Sequence, residues 1–130
     1  MKTLIPIITL LFATQIFTSN SYAEWTKYGN DIEGYTFYVD FNTMRKKNDN
    51  VYIWTLVDFP RPNTKNESSA TTLLQADCEL FRYKLLSQSY FRESKGKGKK
   101  TRIENSNNPK WKFAEPNTLN YLTLELACNK

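Results

Sequence analysis

Residues 51–59 read VYIWTLVDF (Val51–Phe59). β-Branched and aromatic side chains fill nearly every position, which is the composition of a strand. Both alternating faces are largely apolar, so the reading is a central strand covered on each side. Pro60 and Pro62 end it, because proline cannot donate to a sheet ladder. Upstream, GYTFYVD (Gly34–Asp40) alternates, with Tyr35, Phe37 and Val39 on one side and Thr36, Tyr38 and Asp40 on the other. That predicts a second strand, preceded by a short start at Trp25–Tyr28 and a turn at Gly29–Asp31. FNTM (Phe41–Met44) is too short for a stable helix, and KKNDN (Lys46–Asn50) reads as a turn.

Downstream, residues 61–68 are a polar loop in which Asn66-Glu67-Ser68 fits a glycosylation sequon. The stretch from Ser69 to about Phe91 stays extended, as one long bent strand or two in succession. A straight run would exceed ordinary strand lengths, so a kink or bulge is expected near Asp77-Cys78. SKGKGKKTR (Ser94–Arg102) then reads as a hairpin tip, with Lys100–Glu104 returning. NSNNP is a loop, and Trp111–Phe113 is a short edge strand. The C-terminal NYLTLELAC satisfies two patterns. Leu122, Leu124, Leu126 and Cys128 alternate as in a strand, yet Pro116-Asn117-Thr118 is a good helix start, with Leu119, Leu122 and Leu126 on one helical face. Periodicity leaves strand and helix open there.

The chain has 130 residues. It begins MKTLIPIITLLFATQIFTSNSYA: one early lysine, an apolar run too short to span a bilayer, and a small-residue cleavage site after Ala23. Residues 1–23 are therefore expected to be a secretory signal peptide, leaving residues 24–130 as one domain with no later transmembrane segment. The expected location is the periplasm, the cell surface or the exterior. In an exported chain the two cysteines, Cys78 and Cys128, are most simply a disulfide.

Charge is concentrated. The formal net charge is +5, of which Lys2 falls in the leader. Residues 92–102 hold six basic residues, Arg92, Lys95, Lys97, Lys99, Lys100 and Arg102, against Glu93. The rest of the mature chain is close to neutral, so a domain-wide footprint for nucleic acid is missing. The chain has no histidine, which removes the usual general base and the commonest zinc ligand. The two cysteines are too far apart to make a metal site, and no phosphate-binding loop follows a strand. No catalytic, metal or cofactor residues are assigned, and an enzyme is not expected.

Several stretches together resemble one family. FYVDFNTM (Phe37–Met44) is similar to its aromatic-Tyr-aliphatic-Asp strand end. Asp77-Cys78 resembles its Asp/Asn-Cys, with Gly96 and Gly98 at the distance of its G-x-G. Pro116-Asn117-Thr118-Leu119, leading to Cys128, resembles its closing element. In this order they resemble the surface-adhesin protein E family of Gram-negative bacteria, from Trp25 to Cys128. The resemblance implies an α+β fold: an antiparallel sheet of about six strands with a C-terminal helix packed on it. It implies a disulfide from Cys78 to Cys128 tying sheet to helix, which decides the C-terminal ambiguity. It also implies surface exposure and, for the best-known member, adhesion to host matrix proteins such as vitronectin or laminin. Two departures are visible. At the end of the expected leader, Ser21-Tyr22-Ala23-Glu24 holds no lipid-receiving cysteine, which argues against expecting the family's membrane anchoring. Lys65–Asp77 holds a single lysine where the adhesin's binding stretch is basic, so vitronectin binding does not carry over either.

The resulting expectation is a non-enzymatic exported binding protein that contacts a host matrix protein or an acidic polysaccharide through the 92–102 patch, with a homodimer as a possible assembly. The alternatives are an envelope structural or interaction protein and, less favoured, a periplasmic enzyme inhibitor, since cationic lysozymes are repelled by a basic tip. Gly96 and Gly98 are read as backbone requirements of a tight turn at positive φ. The lysines have two readings, a polyanion contact or solubilising charge on an exposed hairpin.

Overall fold

A computed structural model describes residues 24–129; the expected leader, residues 1–23, lies outside them. Seven strands and one helix follow in chain order. They are β1 (Thr26–Asn30), β2 (Thr36–Lys47), β3 (Asn50–Asp58), β4 (Ser69–Asp77), β5 (Arg82–Phe91), β6 (Lys100–Asn105), β7 (Lys112–Phe113) and α1 (Leu119–Cys128). The sheet is an antiparallel meander in the order β1 to β6, and β7 pairs with the first residues of β5 below β6. The α+β architecture expected from the resemblance is present, including the helix and the Cys78–Cys128 disulfide.

VYIWTLVDF forms β3, between β2 and β4. Its covering is unequal. Val51 and Ile53 point into a core with Val39, Leu74 and Ala76, closed by Leu124 and Ala127 of α1. The opposite face carries Tyr52, Trp54 and Leu56, and only its Leu56 end is roofed, by residues 94–96.

Two local expectations are corrected, and an open one is decided. β2 runs through Phe41–Met44 and on to Lys47, leaving only Asn48-Asp49 as the turn. A wide bulge makes this possible: Asp40 pairs Trp54 and Arg45 pairs Tyr52, so four residues of β2 oppose Ile53 alone. The fully buried Asp40 carboxylate organises it, accepting the Asn42 N–H at 3.0 Å and the Thr43 hydroxyl at 2.9 Å. Of the two readings of residues 69–91, two strands in succession is the one found, and they reverse at Cys78–Phe81. Asp77 accepts the N–H groups of Glu79 and Leu80, and Phe81 takes φ 54°. The bulge lies instead at Leu86, between the pairs Leu74–Leu85 and Leu73–Ser87.

The helix is capped by Thr118, whose hydroxyl accepts the Tyr121 N–H at 3.2 Å. It presents Thr123, Leu124 and Ala127 to the sheet, while Leu119, Leu122 and Leu126 flank that contact half-buried. Leu124 fills the core at the crossing between the smaller Thr123 and Ala127, and the other leucines seal its sides. Tyr28 and Thr123 share a 2.8 Å hydrogen bond, and Asn120 donates to the Tyr83 hydroxyl at 2.9 Å.

Candidate functional site: the basic tip

The β5–β6 connection does not project freely. After Phe91 the chain makes a short 3-10 turn at Ser94–Gly96 and folds back over the helix-free face of the sheet. Ser69, fully buried on β4, donates to the Glu93 carbonyl at 2.6 Å and accepts the Gly96 N–H at 2.9 Å. Asp58, at the end of β3, accepts the Lys95 N–H at 2.6 Å. Within the tip, Glu93 N–H reaches the Lys97 carbonyl and Arg92 N–H the Lys99 carbonyl, each at 3.1 Å. The tip backbone is thus pinned by two side chains from other strands.

Both glycines have positive φ, 67° at Gly96 and 76° at Gly98. A Cβ at Gly96 would come within 3.3 Å of Leu56 and 3.5 Å of Thr71. One at Gly98 would collide with the Glu93 side chain. Gly96 is the contact through which the tip lies on the sheet.

The six basic residues separate by environment. Arg92 donates to the carbonyls of Lys65 and Asn66 at 3.0 and 3.2 Å, joining the tip to the β3–β4 loop. Arg102 is committed further. Its guanidinium bonds both carboxylate oxygens of Glu67 at 3.1–3.3 Å, reaches Glu104 at 2.5 Å, and stacks 3.7 Å from the centre of the Tyr90 ring. Glu67 is 1 % exposed and also accepts from the Thr101 hydroxyl and from Asn63 at 2.9 Å. The Arg102 hydrogen bonds hold its carboxyl down at about 2, against the upward push of burial, and Thr101 and Asn63 add to the lowering. Lys95 and Lys100 have ammonium groups 5.4 Å from the Tyr38 ring and 5.7 Å from the Phe91 ring. These contacts leave the charges uncompensated. Among the described residues, the Lys97 and Lys99 side chains have no ion pair or ring partner.

The structure therefore brings Lys95, Lys97, Lys99 and Lys100 together as available cations and assigns Arg92 and Arg102 to holding loops. Glu67 was invisible as a framework residue in the sequence, where it is the middle of a sequon-like triplet. The one available signal was its position amid polar residues next to a strand. Cys78 and Cys128 lie at the opposite end, with Cα atoms 5.5 Å apart. No group of three or more potential metal ligands occurs among the described residues.

The tip's chemistry is that of a small, preorganised cationic contact. It holds no nucleophile–base pair and suits an anionic partner at long range, where the charge effect falls with salt. The family model described as surface-adhesin protein E matches residues 25–129. Solved structures of Haemophilus influenzae protein E share the fold. One superposes with a TM-score of 0.63 at 13 % identity, covering 85 % of this chain and 79 % of that one. A second crystal form gives 0.61 at 14 % identity, covering 85 % and 91 %. No curated protein matches the chain.

Proposed function

The chain belongs to the surface-adhesin protein E family, and from that premise we propose that it is a non-enzymatic exported binding protein whose basic tip contacts a polyanion outside the cell. The partner is an acidic polysaccharide or an acidic stretch of a host matrix protein. The observation that carries this reading is the split within the tip: its arginines are bound internally while its backbone is pinned by Asp58 and Ser69. The lysines are thereby presented on a fixed base, which lowers the entropy lost on binding. Solubilising charge alone does not call for such anchoring.

Retention of the mature chain on heparin, eluted with salt, tests the reading. The triple variant Lys97→Gln/Lys99→Gln/Lys100→Gln should elute at distinctly lower salt and melt within a few degrees of the parent. Unchanged retention sinks the role of the tip. The proposed location, at the cell surface or released from it, is tested by protease digestion of intact cells: a chain protected until the outer membrane is opened does not act as an adhesin.

A further inference from the structure

The helix-free face of the sheet beyond the tip carries a second arrangement of side chains that sequence order does not reveal. Directly paired residues of antiparallel strands share a face. The register therefore lays Arg45, Tyr52, Gln75 and Lys84 in one row across β2 to β5. The neighbouring row is Lys47, Asn50, Asp77 and Arg82. On the other side of the first row, Trp54 pairs with Leu73. Trp111, just before β7, closes the edge, with the Arg82 guanidinium 4.3 Å and the Lys84 ammonium 4.2 Å from its ring centre.

The electrostatics of this surface are one-sided. Three carboxylates are paired across β2 to β5: Asp77 is bound to Arg82 at 2.9 Å, Asp40 is fully buried and turned onto Asn42 and Thr43, and Asp58 lies at the tip end, where it accepts the Lys95 N–H at 2.6 Å. Arg45, Lys47 and Lys84 have no carboxylate partner among the described residues. Between these cations lie the Tyr52 ring and two amides, Gln75 donating to Asn50 at 3.2 Å, and the Trp54 ring flanks them in the adjoining row. α1 covers only the other face.

We propose that this face is a binding platform for an extended acidic polysaccharide of the uronic-acid type, distinct from the lysine tip. The C–H faces of sugar rings pack on aromatic side chains, amides satisfy hydroxyls, and spaced cations pair with carboxylates. Cations set apart by rings and amides match a polymer that alternates charged and neutral sugars. A densely sulfated chain matches the tip, where lysines crowd without open rings. Trp111, held by two cations, is preorganised at the rim.

The probe is hyaluronan, titrated into the mature chain while tryptophan fluorescence is followed, with dextran as the uncharged control and heparin in parallel. Hyaluronan should shift the emission, and dextran should not. Tyr52→Ala/Trp54→Ala should weaken hyaluronan binding tenfold or more. Should that pair fail to fold, the surface variant Arg45→Gln/Lys47→Gln/Lys84→Gln, which leaves every core residue in place, should weaken it at least as much. The tip variant Lys97→Gln/Lys99→Gln/Lys100→Gln should leave hyaluronan binding intact while weakening heparin retention, so the two readings fail separately. The platform is overturned if hyaluronan does not bind, if dextran binds equally, or if the charge variant binds like the parent. It is also overturned if sedimentation shows a dimer that these substitutions dissociate, since a second copy then covers the face.

Discussion

The two ends of the sheet both hold a carboxylate on an arginine, and they do so by different means. At one end, Asp77 is bound to Arg82 beside the Cys78–Cys128 disulfide, where α1 closes the core. Burial pushes the Asp77 carboxyl upward, but the Arg82 hydrogen bond and the N–H groups of Leu80 and Glu79 bring it below its ordinary value. At the other end, Glu67 reaches Arg102 across a sequence gap of 35 residues with no covalent link and no helix over it. One end is a turn reinforced by a covalent bond. The other is a loop and a hairpin tied by a polar network, with Gly96 resting on Leu56 and Arg102 on the Tyr90 ring. A small domain in which one end has little apolar cover draws more of its stability from the other.

That contrast can be broken most strongly at the covalent end. Cys78→Ser/Cys128→Ser should cost about 4 kcal/mol on the chain-entropy account of a loop this long, read as a large drop in melting temperature. Retention on heparin at a temperature where the variant stays folded should not change. A loss of retention there would mean that the two ends are coupled.

At the polar end, Glu67→Gln weakens a charge-assisted network and should destabilise by about 2 kcal/mol, the range for an impaired buried hydrogen-bonding group. The same network predicts acid sensitivity. The Glu67 carboxyl is depressed from 4.5 to about 2 in the folded chain. Its contribution is complete above the unfolded value and is lost as pH falls from about 4.5 through about 2. Asp77, lowered as well, acts in the same direction. Melting temperature followed over that window should fall less steeply in Glu67→Gln than in the parent; parallel curves would remove Glu67 from the account.

A smaller effect is expected in the tip. Gly98→Ala places a side chain at φ 76° and against Glu93, which should cost about 1–2 kcal/mol. Pairing it with Glu93→Ala should recover the steric part and leave the backbone part. Smallest of all, Lys97→Gln/Lys99→Gln should change stability by no more than about 0.5 kcal/mol, because neither side chain has an ion-pair partner among the described residues. A larger shift would show that these lysines belong to the framework.

Much of the fold is legible in the chain because strands announce themselves locally. VYIWTLVDF, the prolines after it and the alternation in GYTFYVD each rest on neighbours in sequence. The bulges are less legible, since the four residues of β2 that oppose Ile53 look like a break until Asp40 is seen to hold them. The helix is the instructive case. NYLTLELAC carries a strand-like alternation, and its buried face, Thr123, Leu124 and Ala127, is not the leucine stripe that a helical reading selects. Contact with the sheet selects the face of Leu124, Ala127 and Thr123, which hydrogen-bonds Tyr28, and that choice exists only once the sheet does.

By itself, the sequence determines the strand positions, the pair of cysteines, the concentration of charge in residues 92–102 and the glycines that let that segment turn. Each depends on composition and spacing within a short window. Tertiary structure alone decides which of those charges are free. Arg102 is neutralised by a glutamate that precedes it by 35 residues, while Arg92 keeps its charge and is held by two loop carbonyls. It likewise decides that Tyr52, Trp54, Trp111 and the cations between them share one surface, because strand register sets which side chains meet, and a single-residue slip would send each strand's set to the other face.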